Sequence, residues 1–426
     1  MPYLGKGTEF IRMMLTQVSK DMHEPLVPML FPILGAHVSG AEFQHPSNVW
    51  METCGMMANL VADSGCNKGQ LNGWVEALCR DFRTHDNDEL DKLVEWQRKV
   101  KTRAANKEKP MRPEVAFWFP PSDVTNAAYI LNSMACEKLG GRTQYLNLPE
   151  VEMADRMCGG HKQVSQMIRN IYDRQRSGAL RATADGVTGN PILRTNITIS
   201  STPFASRRFY RNDLYNGTFS RMVFSYKART GRNGRIPRQG RYADDFLRQT
   251  DLYLERLAGC KGRFVIAPLN RLTDKLAEDM ARLADLADDD LLWDMSKRSL
   301  VAAWKAGCLM WILNNQTWTR AMGDLVEWLV YHDIWSKMQI FADMLDKDAP
   351  TASQIQRRGP KNMLDSLPDT FSGTQLEALR LSMDKDKEGT NGQLRKWLTR
   401  KFITYSNQTG LYTKTDTYLK QKPQNG

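Results

Sequence analysis

Four stretches of this sequence carry residue types that could hold or act on a phosphate. The first is Asn59–Leu71, NLVADSGCNKGQL. An apolar lead-in (Met56, Met57, Leu60, Val61) enters a polar loop, Ser64, Gly65, Cys66, Asn67, Lys68 and Gly69, and Gln70–Arg80 follows as the start of a helix. Strand, glycine-containing loop, lysine and helix are the parts of a phosphate cradle. Backbone N–H groups and a helix N-terminus take the anion, and the lysine reaches its terminal oxygens. Set against G-x-x-x-x-G-K-[S/T], Ala62 stands at the first glycine and Asn67 at the second; Lys68 is kept, and Gly69 stands at the Ser/Thr. Asn tolerates positive φ better than most residues, so such a loop can still close. The hydroxyl missing at Gly69 is the usual Mg²⁺ ligand, and its loss bears on hydrolysis more than on binding. An ordinary strand–turn–helix connection is the competing reading of this loop by itself.

The second stretch is Thr143–Leu148 (TQYLNL), a strand pattern that runs into Pro149-Glu150-Val151-Glu152. An acid at the carboxyl end of a core strand is placed to hold Mg²⁺ and an attacking water. The third, Thr195–Ser201 (TNITISS), alternates as a strand and ends in the hydroxyls of Ser201 and Thr202. The fourth is Phe204–Arg241, in which ten Arg and Lys, among them Arg207, Arg208, Arg211, Arg221, Arg229, Arg232, Arg235 and Arg238, face one acid, Asp213. Its second half, ARTGRNGRIPRQGR, mixes arginine with glycine and proline and reads as a mobile loop. With Phe209, Tyr210 and Tyr215 beside it, the stretch suits contact with a phosphate backbone and stacking on bases.

The rest of the chain must position these residues. At 426 residues it can bury a sizeable core and divides into two or three domains. With 41% hydrophobic and 25% charged residues the composition is that of a soluble globular protein, and a net charge of +11 puts a polyanion, nucleic acid before membrane, first among partners. Seven cysteines (54, 66, 79, 136, 158, 260, 308) without CxxC spacing argue for a reducing compartment and against both a disulfide framework and a zinc site. The segment MPYLGKGTEF lacks a signal-peptide core, and Leu26–Leu34 is too short to span a bilayer. The expected location is cytoplasmic.

Residues 8–38 read as helical, broken into short helices by Pro25, Pro28 and Pro32. Gly35–Ser47 is a loop or short strand, and Val49–Val61 a buried strand feeding the phosphate loop. Asp86–Lys109 is a charged, solvent-exposed helical excursion. Val115–Phe119 (VAFWF) reads as a buried strand. A helix capped at Ser122 or Thr125 ends at Gly140-Gly141. His161–Arg176 is a basic amphipathic helix, and Met222–Tyr226 a further strand. From Tyr242 the sequence is helical, over Tyr242–Leu257, Thr273–Asp289, Leu291–Leu313 and Trp318–Leu345, with tryptophans at 304, 311 and 318 spaced as core packing. Strands and helices alternate through the first half, which predicts an α/β fold: a three-layer core with a mostly parallel sheet. The domains expected are a helical lead (1–40), the core (41–241, with its charged excursion at 83–113), a helical domain (242–350), a linker (351–373) and a small basic module (374–426). In that module a helix, a turn, the basic helix QLRKWLTRKF and a hairpin turning at Asn407–Gly410 make a winged-helix-like layout. Arg395, Lys396, Arg400 and Lys401 lie on its second helix and Lys414 on the hairpin.

Together, ADSGCNKGQ, NLPEVEMAD, NPILRTNITISSTP and NGTFSRMVFSY resemble the motifs of P-loop (AAA+/RecA-like) ATPase domains in helicase/primase-type proteins of bacterial mobile genetic elements, a family frequent in Bacteroidetes. A P-loop, a glutamate-bearing strand end, a sensor strand and an "FSR" arginine follow there in the same order. The resemblance covers roughly residues 20–230. It implies ATP and Mg²⁺ as cofactors. Ser64–Gln70 would wrap the nucleotide, with Lys68 on phosphate, and Glu150 or Glu152 would hold Mg²⁺ or polarise water. Ser201 and Thr202 would sense the γ-phosphate. Arg221 would act as an arginine finger or sensor, completing a neighbouring copy's site in a homo-oligomer, and Arg181 matches a further family arginine. No primase domain precedes the core, so priming would come from another chain, a primase or replication protein. The function expected is a nucleotide-dependent DNA-binding motor or replication-initiation protein. Its rival is a DNA-binding scaffold that keeps the ATPase fold without turnover.

Overall fold

The structure, a computed structural model, describes residues 1–103, 108, 110–158, 161–178, 180, 186–211, 213–214, 217–229, 239–287, 290–348, 364, 366–382, 387, 389–399 and 401–419. Arg181, Arg232, Arg235, Arg238 and Arg400, the Lys396 side chain and most of the expected linker lie outside them. The chain forms two compact units, Met1–Lys347 and Asp348–Gly426. The boundaries expected near residues 40 and 241 fall inside the first unit.

In chain order the first unit runs through α1 (Glu9–Leu15), α2 (His23–His37), β1 (Gly40–Gln44), β2 (Met51–Glu52), β3 (Met57–Ala62), α3 (Gln70–Leu78), α4 (Arg80–Lys101), α5 (Asn126–Lys138), β4 (Gln144–Leu148) and α6 (Met153–Cys158). It continues with α7 (His161–Tyr172), β5 (Thr195–Ser201), α8 (Pro203–Tyr210), α9 (Thr218–Arg221), β6 (Val223–Lys227), α10 (Asp244–Gly259), β7 (Lys261–Phe264), α11 (Ala267–Ala287), α12 (Asp290–Leu313) and α13 (Arg320–Asp348). The main sheet has the order β4-β5-β3-β6 with every pairing parallel. Its strands read as near-continuous apolar runs because both faces are covered. Ala58, Leu60 and Tyr145 face one apolar cluster built with α1–α3 and α10–α12, while Met57, Val61, Leu146 and Ile199 face a second built with α5–α9 and the end of α13. The expected α/β core with a parallel sheet between helical layers is therefore present.

Four local expectations are corrected. First, α2 is one continuous helix with Pro28 and Pro32 inside it. Its core-facing sides are sealed almost completely, and that burial outweighs the hydrogen bonds the two prolines forfeit. Second, Val49–Val61 is not one strand: Val49 and Trp50 are exposed, and β2 belongs with β1 and β7 to a separate small sheet. Third, a strand, β7, parallel to β1, lies between the first two helices expected after Tyr242, in a region read as helical in character. Fourth, VAFWF is no strand. Its N–H groups are taken by side chains instead: Trp118 and Phe119 donate to the Asp86 carboxylate at 2.7 Å each, Ala116 to Glu89 at 3.0 Å and Phe117 to Asn132 at 2.7 Å. The charged excursion α4 thus turns two of its acids inward to satisfy a neighbouring backbone.

β6 is an edge of the main sheet, and α13 closes it. Phe224 N–H donates to Asp333 (2.7 Å) and Tyr226 N–H to Ser336 Oγ (3.0 Å). Asp333 is itself paired with buried Lys337 at 2.8 Å and accepts from Ser299 Oγ at 2.5 Å, so the charge that caps the strand is fully partnered.

In the second unit, β8 (Thr370–Phe371), β9 (Ile403–Ser406) and β10 (Leu411–Lys414) form a sheet of order β8-β10-β9. Helices Gly373–Ser382 and Gly389–Thr399 precede the β9–β10 hairpin, which turns through Gly410 at φ +67. A small core of Leu376, Leu394, Trp397, Ile403 and Phe371 holds them together.

Candidate functional site

Because all four strands of the main sheet are parallel, their carboxyl ends, Ala62, Leu148, Ser201 and Lys227, share one edge. The loop after β3 leaves from that edge and enters α3. Gly65 (φ +78) and Asn67 (φ +60) take left-handed conformations, and a Cβ built on Gly65 or Gly69 would meet open space. Asn67 thus takes a conformation more often left to glycine. Among the described residues the N–H groups of Gly65, Asn67, Lys68 and Gly69 have no backbone acceptor, and Gly69 N-caps α3 without a side-chain cap. Lys68 Nζ folds back on the end of its own strand, donating to the carbonyls of Ala62 (2.6 Å) and Asp63 (3.3 Å). Partial burial holds its ammonium below the usual lysine range, opposed by the nearby Cys66 and Asp63. Ser64 is exposed and Cys66 half-buried beside these groups. Gln70 is committed elsewhere: it accepts from Ser19 N–H and donates to Ser19 Oγ, both at 2.8 Å.

The acids stand at the same edge. β4 is two strands from β3, roughly 10 Å at the usual strand spacing, with β5 between them. A direct link closes that gap, since Asn147 on β4 donates to Asn72 in the first turn of α3 at 3.4 Å. Asn147 in turn accepts from Thr198 Oγ1 at 3.0 Å, and Thr198 meets buried Tyr145 Oη at 2.5 Å, so the bridge is anchored in the core. Glu150 and Glu152 follow on the exposed turn into α6. Glu152 is paired with Arg208 on α8 at 2.7 Å, both side chains well exposed, which contributes at most about 1 kcal/mol.

The two hydroxyls at the tip of β5 already have partners. Ser201 Oγ is buried and donates to Asn59 Oδ1 (2.8 Å), with Ser206 Oγ at 2.6 Å; Thr202 Oγ1 caps α8 by accepting from Ala205 N–H (3.2 Å). Arg221 lies elsewhere. It ends α9, just before β6, at the amino edge of the sheet, where it holds Asp173 (2.8 Å) and the Gly217 carbonyl (2.8 Å). It cannot reach the Lys68 loop of its own chain.

The candidate nucleic-acid contacts are dispersed. Arg207 Nε donates to the Ile340 carbonyl, whereas Arg211 and Arg229 are exposed. In the second unit Arg395 and Lys401 are exposed, but Lys414 is buried, its ammonium on the Leu367 carbonyl (2.5 Å) and 3.5 Å from Asp369. That lysine is a structural residue of the unit rather than a contact offered outward. Among the described residues no group of three or more His, Cys, Asp or Glu converges to hold a metal ion, and no helix is long and apolar enough to cross a membrane.

Sequence reasoning missed the Asn72–Asn147 bridge, although an asparagine inside the apolar run YLNL was a readable signal. It also missed two neighbouring cavities of about 640 and 520 Å³ that share Arg298, the smaller lined in addition by Tyr172, Arg174 and Lys305. Those residues come from helix and turn positions far apart in the chain and share no motif. No protein-family model and no curated protein matches this sequence.

Proposed function

We propose that the first unit binds ATP over Ser64–Gly69 and couples it to work on DNA, as a replication-initiation or helicase-like protein of a mobile element. The observation that carries this reading is the common edge: the loop bearing Lys68 and the turn bearing Glu150 and Glu152 follow parallel strands of one sheet and are tied through Asn72 and Asn147. The loop fits an anion. Four N–H groups without backbone acceptors, two left-handed residues and an uncapped helix start surround a lysine that would exchange the carbonyls of Ala62 and Asp63 for phosphate oxygens. Mg²⁺ would find Glu150, with Glu152 released from Arg208, but no hydroxyl at Gly69. When bound, Mg²⁺ supplies charge neutralisation and a polarised water. Arg221, at the opposite edge of its own sheet, suits a copy-to-copy role: in a homo-oligomer it would serve the next protomer's nucleotide after leaving Asp173. The second unit would act as a winged-helix-like DNA contact through Arg395, Lys396, Arg400 and Lys401, together with the arginine-rich stretch of the first.

A second reading has its own support. The Glu152–Arg208 pair and the absent hydroxyl at Gly69 both suit a fold that holds nucleotide or DNA without turning ATP over. Hydrolysis assayed with and without single-stranded DNA separates the two. DNA-stimulated turnover that is abolished in Lys68→Ala supports the motor, and its absence in the parent supports the scaffold. Turnover that survives Lys68→Ala contradicts the assigned site.

A further inference from the structure

The amino edge of the main sheet, opposite the Lys68 loop, carries a cavity of about 520 Å³ between the β2 segment, the turn after α7 and α12. Arg174, Arg194, Arg298 and Lys305 line it against two carboxylates, Glu52 and Asp173. Both carboxylates are already answered, Asp173 by Arg221 at 2.8 Å and Glu52 by Lys305 at 3.6 Å. The Tyr172 ring sits among three cations: Lys305 Nζ at 5.0 Å, Arg298 Cζ at 5.5 Å and Arg221 Cζ at 5.6 Å from its centre. Three buried polar atoms of lining residues, Tyr172 Oη, Arg174 Nη2 and His45 Nε2, have no hydrogen-bond partner. All three are donors. Tyr172 and Arg174 are so by nature, and His45 because its Nδ1 accepts from Ser47 N–H at 3.2 Å, which leaves the proton on Nε2. With Glu52 and Asp173 each answered by a cation, the unpartnered donors and the remaining arginines of the lining suit an anion.

We propose that this cavity is a binding site for a small phosphate-bearing molecule of up to mononucleotide size, separate from the Lys68 loop. The phosphate meets Arg174 Nη2, Tyr172 Oη and Arg298, with His45 Nε2 at the inner wall and the exposed Trp50 ring at the rim. The volume falls in the range of small-molecule sites. The backbone holds Arg174 in place at a cost, because just past the end of α7 it occupies a left-handed conformation (φ +48), a strained state for a side chain of its size. Burial, reinforced by the neighbouring Arg194, pushes its guanidinium down to about 10, which is the condition a bound anion relieves. Nothing in the Lys68 loop contributes to the cavity, so occupancy of one does not require the other.

The test uses the full chain. Thermal unfolding and titration calorimetry are run with inorganic phosphate and with AMP, against sodium chloride at matched ionic strength, on the parent, Tyr172→Phe, Arg174→Gln and Lys68→Ala. Phosphate and AMP are expected to raise the unfolding midpoint of the parent and of Lys68→Ala alike, with affinity falling about tenfold or more in Tyr172→Phe and Arg174→Gln. Tyr172→Phe removes only an unpaired buried hydroxyl, so without anion it should unfold at or above the parent midpoint. Stabilisation no greater than that of chloride, or stabilisation lost in Lys68→Ala and retained in Tyr172→Phe, overturns the proposal. An oligo-dT strand is the remaining arm. Its affinity should be indifferent to Tyr172→Phe; a fall there assigns the phosphate to a nucleic-acid strand and overturns the small-molecule site.

Discussion

Lys68 Nζ rests on the carbonyls of Ala62 and Asp63 at the end of β3, and Asn67 bends the loop so that the lysine can do this. Each part makes a separable demand. Lys68→Ala should weaken ATP binding at least about tenfold in calorimetry while leaving the unfolding midpoint near that of the parent, because a half-buried ammonium on strand-end carbonyls adds little to stability. Asn67 sits at φ +60, where a β-branched residue is strained. Asn67→Val should therefore cost about 1–2 kcal/mol in urea unfolding, and Asn67→Gly should change it by less than about 0.5 kcal/mol. The tolerance of Asn for that conformation was readable from residue type. The sides on which the arginines would stand were not: Arg208 faces Glu152, and Arg221 ends at the far edge, because charge pairing across helices depends on packing that no local pattern encodes.

At the level of elements, periodicity located the four parallel strands of the main sheet to within a residue or two at their carboxyl ends, since each is a short apolar run bounded by loop residues. It failed where side chains replace a ladder. VAFWF has strand composition, yet Asp86, Glu89 and Asn132 satisfy its backbone, and acids on a charged helix read as solvent-facing. It failed again at α2, where prolines signalled breaks that complete burial overrides. The capping of β6 by Asp333 and Ser336 was equally hidden, because only the fold makes β6 an edge. Lys337→Met should leave the Asp333 carboxylate buried without its countercharge and cost about 3–5 kcal/mol in chemical denaturation. The helix and strand that Asp333 joins also hold His332, whose ring meets Ser225 Oγ at 2.9 Å. Burial pushes His332 down to about 4 and His37 down to about 3, against about 6.5 in an unfolded chain. Between those values the unfolded chain binds more protons, so stability is intact above pH 6.5 and is lost as pH falls toward 4. Unfolding free energy should drop by about 2 kcal/mol or more from pH 7 to pH 5, and His332→Gln should flatten that slope.

On the scale of the whole molecule, composition announced a basic protein, and the structure distributes that charge unevenly. Several candidate cations are consumed internally, Lys414 and Arg207 among them, while Arg211, Arg229, Arg395 and Lys401 remain exposed. If those exposed residues contact phosphates, DNA affinity should fall steeply with salt, and Arg395→Ala with Lys401→Ala should reduce the slope of log K against log salt by about 2. The sheet gives the first unit two candidate sites at opposite edges, one with the lysine loop and the acids, the other with the cationic cavity. Only the first was legible in the sequence, as an ordered series of strand ends. The second assembles residues from β2, the turn after α7 and α12 that meet nowhere in the chain.

Cys66 offers the most direct view of the first edge, because it lies inside the loop and is half-buried while Cys54, Cys79, Cys136, Cys260 and Cys308 are buried. The decisive measurement is the rate of Cys66 alkylation, followed by peptide mass spectrometry, with and without ATP in the parent and in Lys68→Ala. ATP at about ten times the parent's Kd should slow the parent's labelling about tenfold and that of Lys68→Ala by no more than about twofold. Equal rates with and without saturating ATP in the parent would contradict nucleotide binding over this loop.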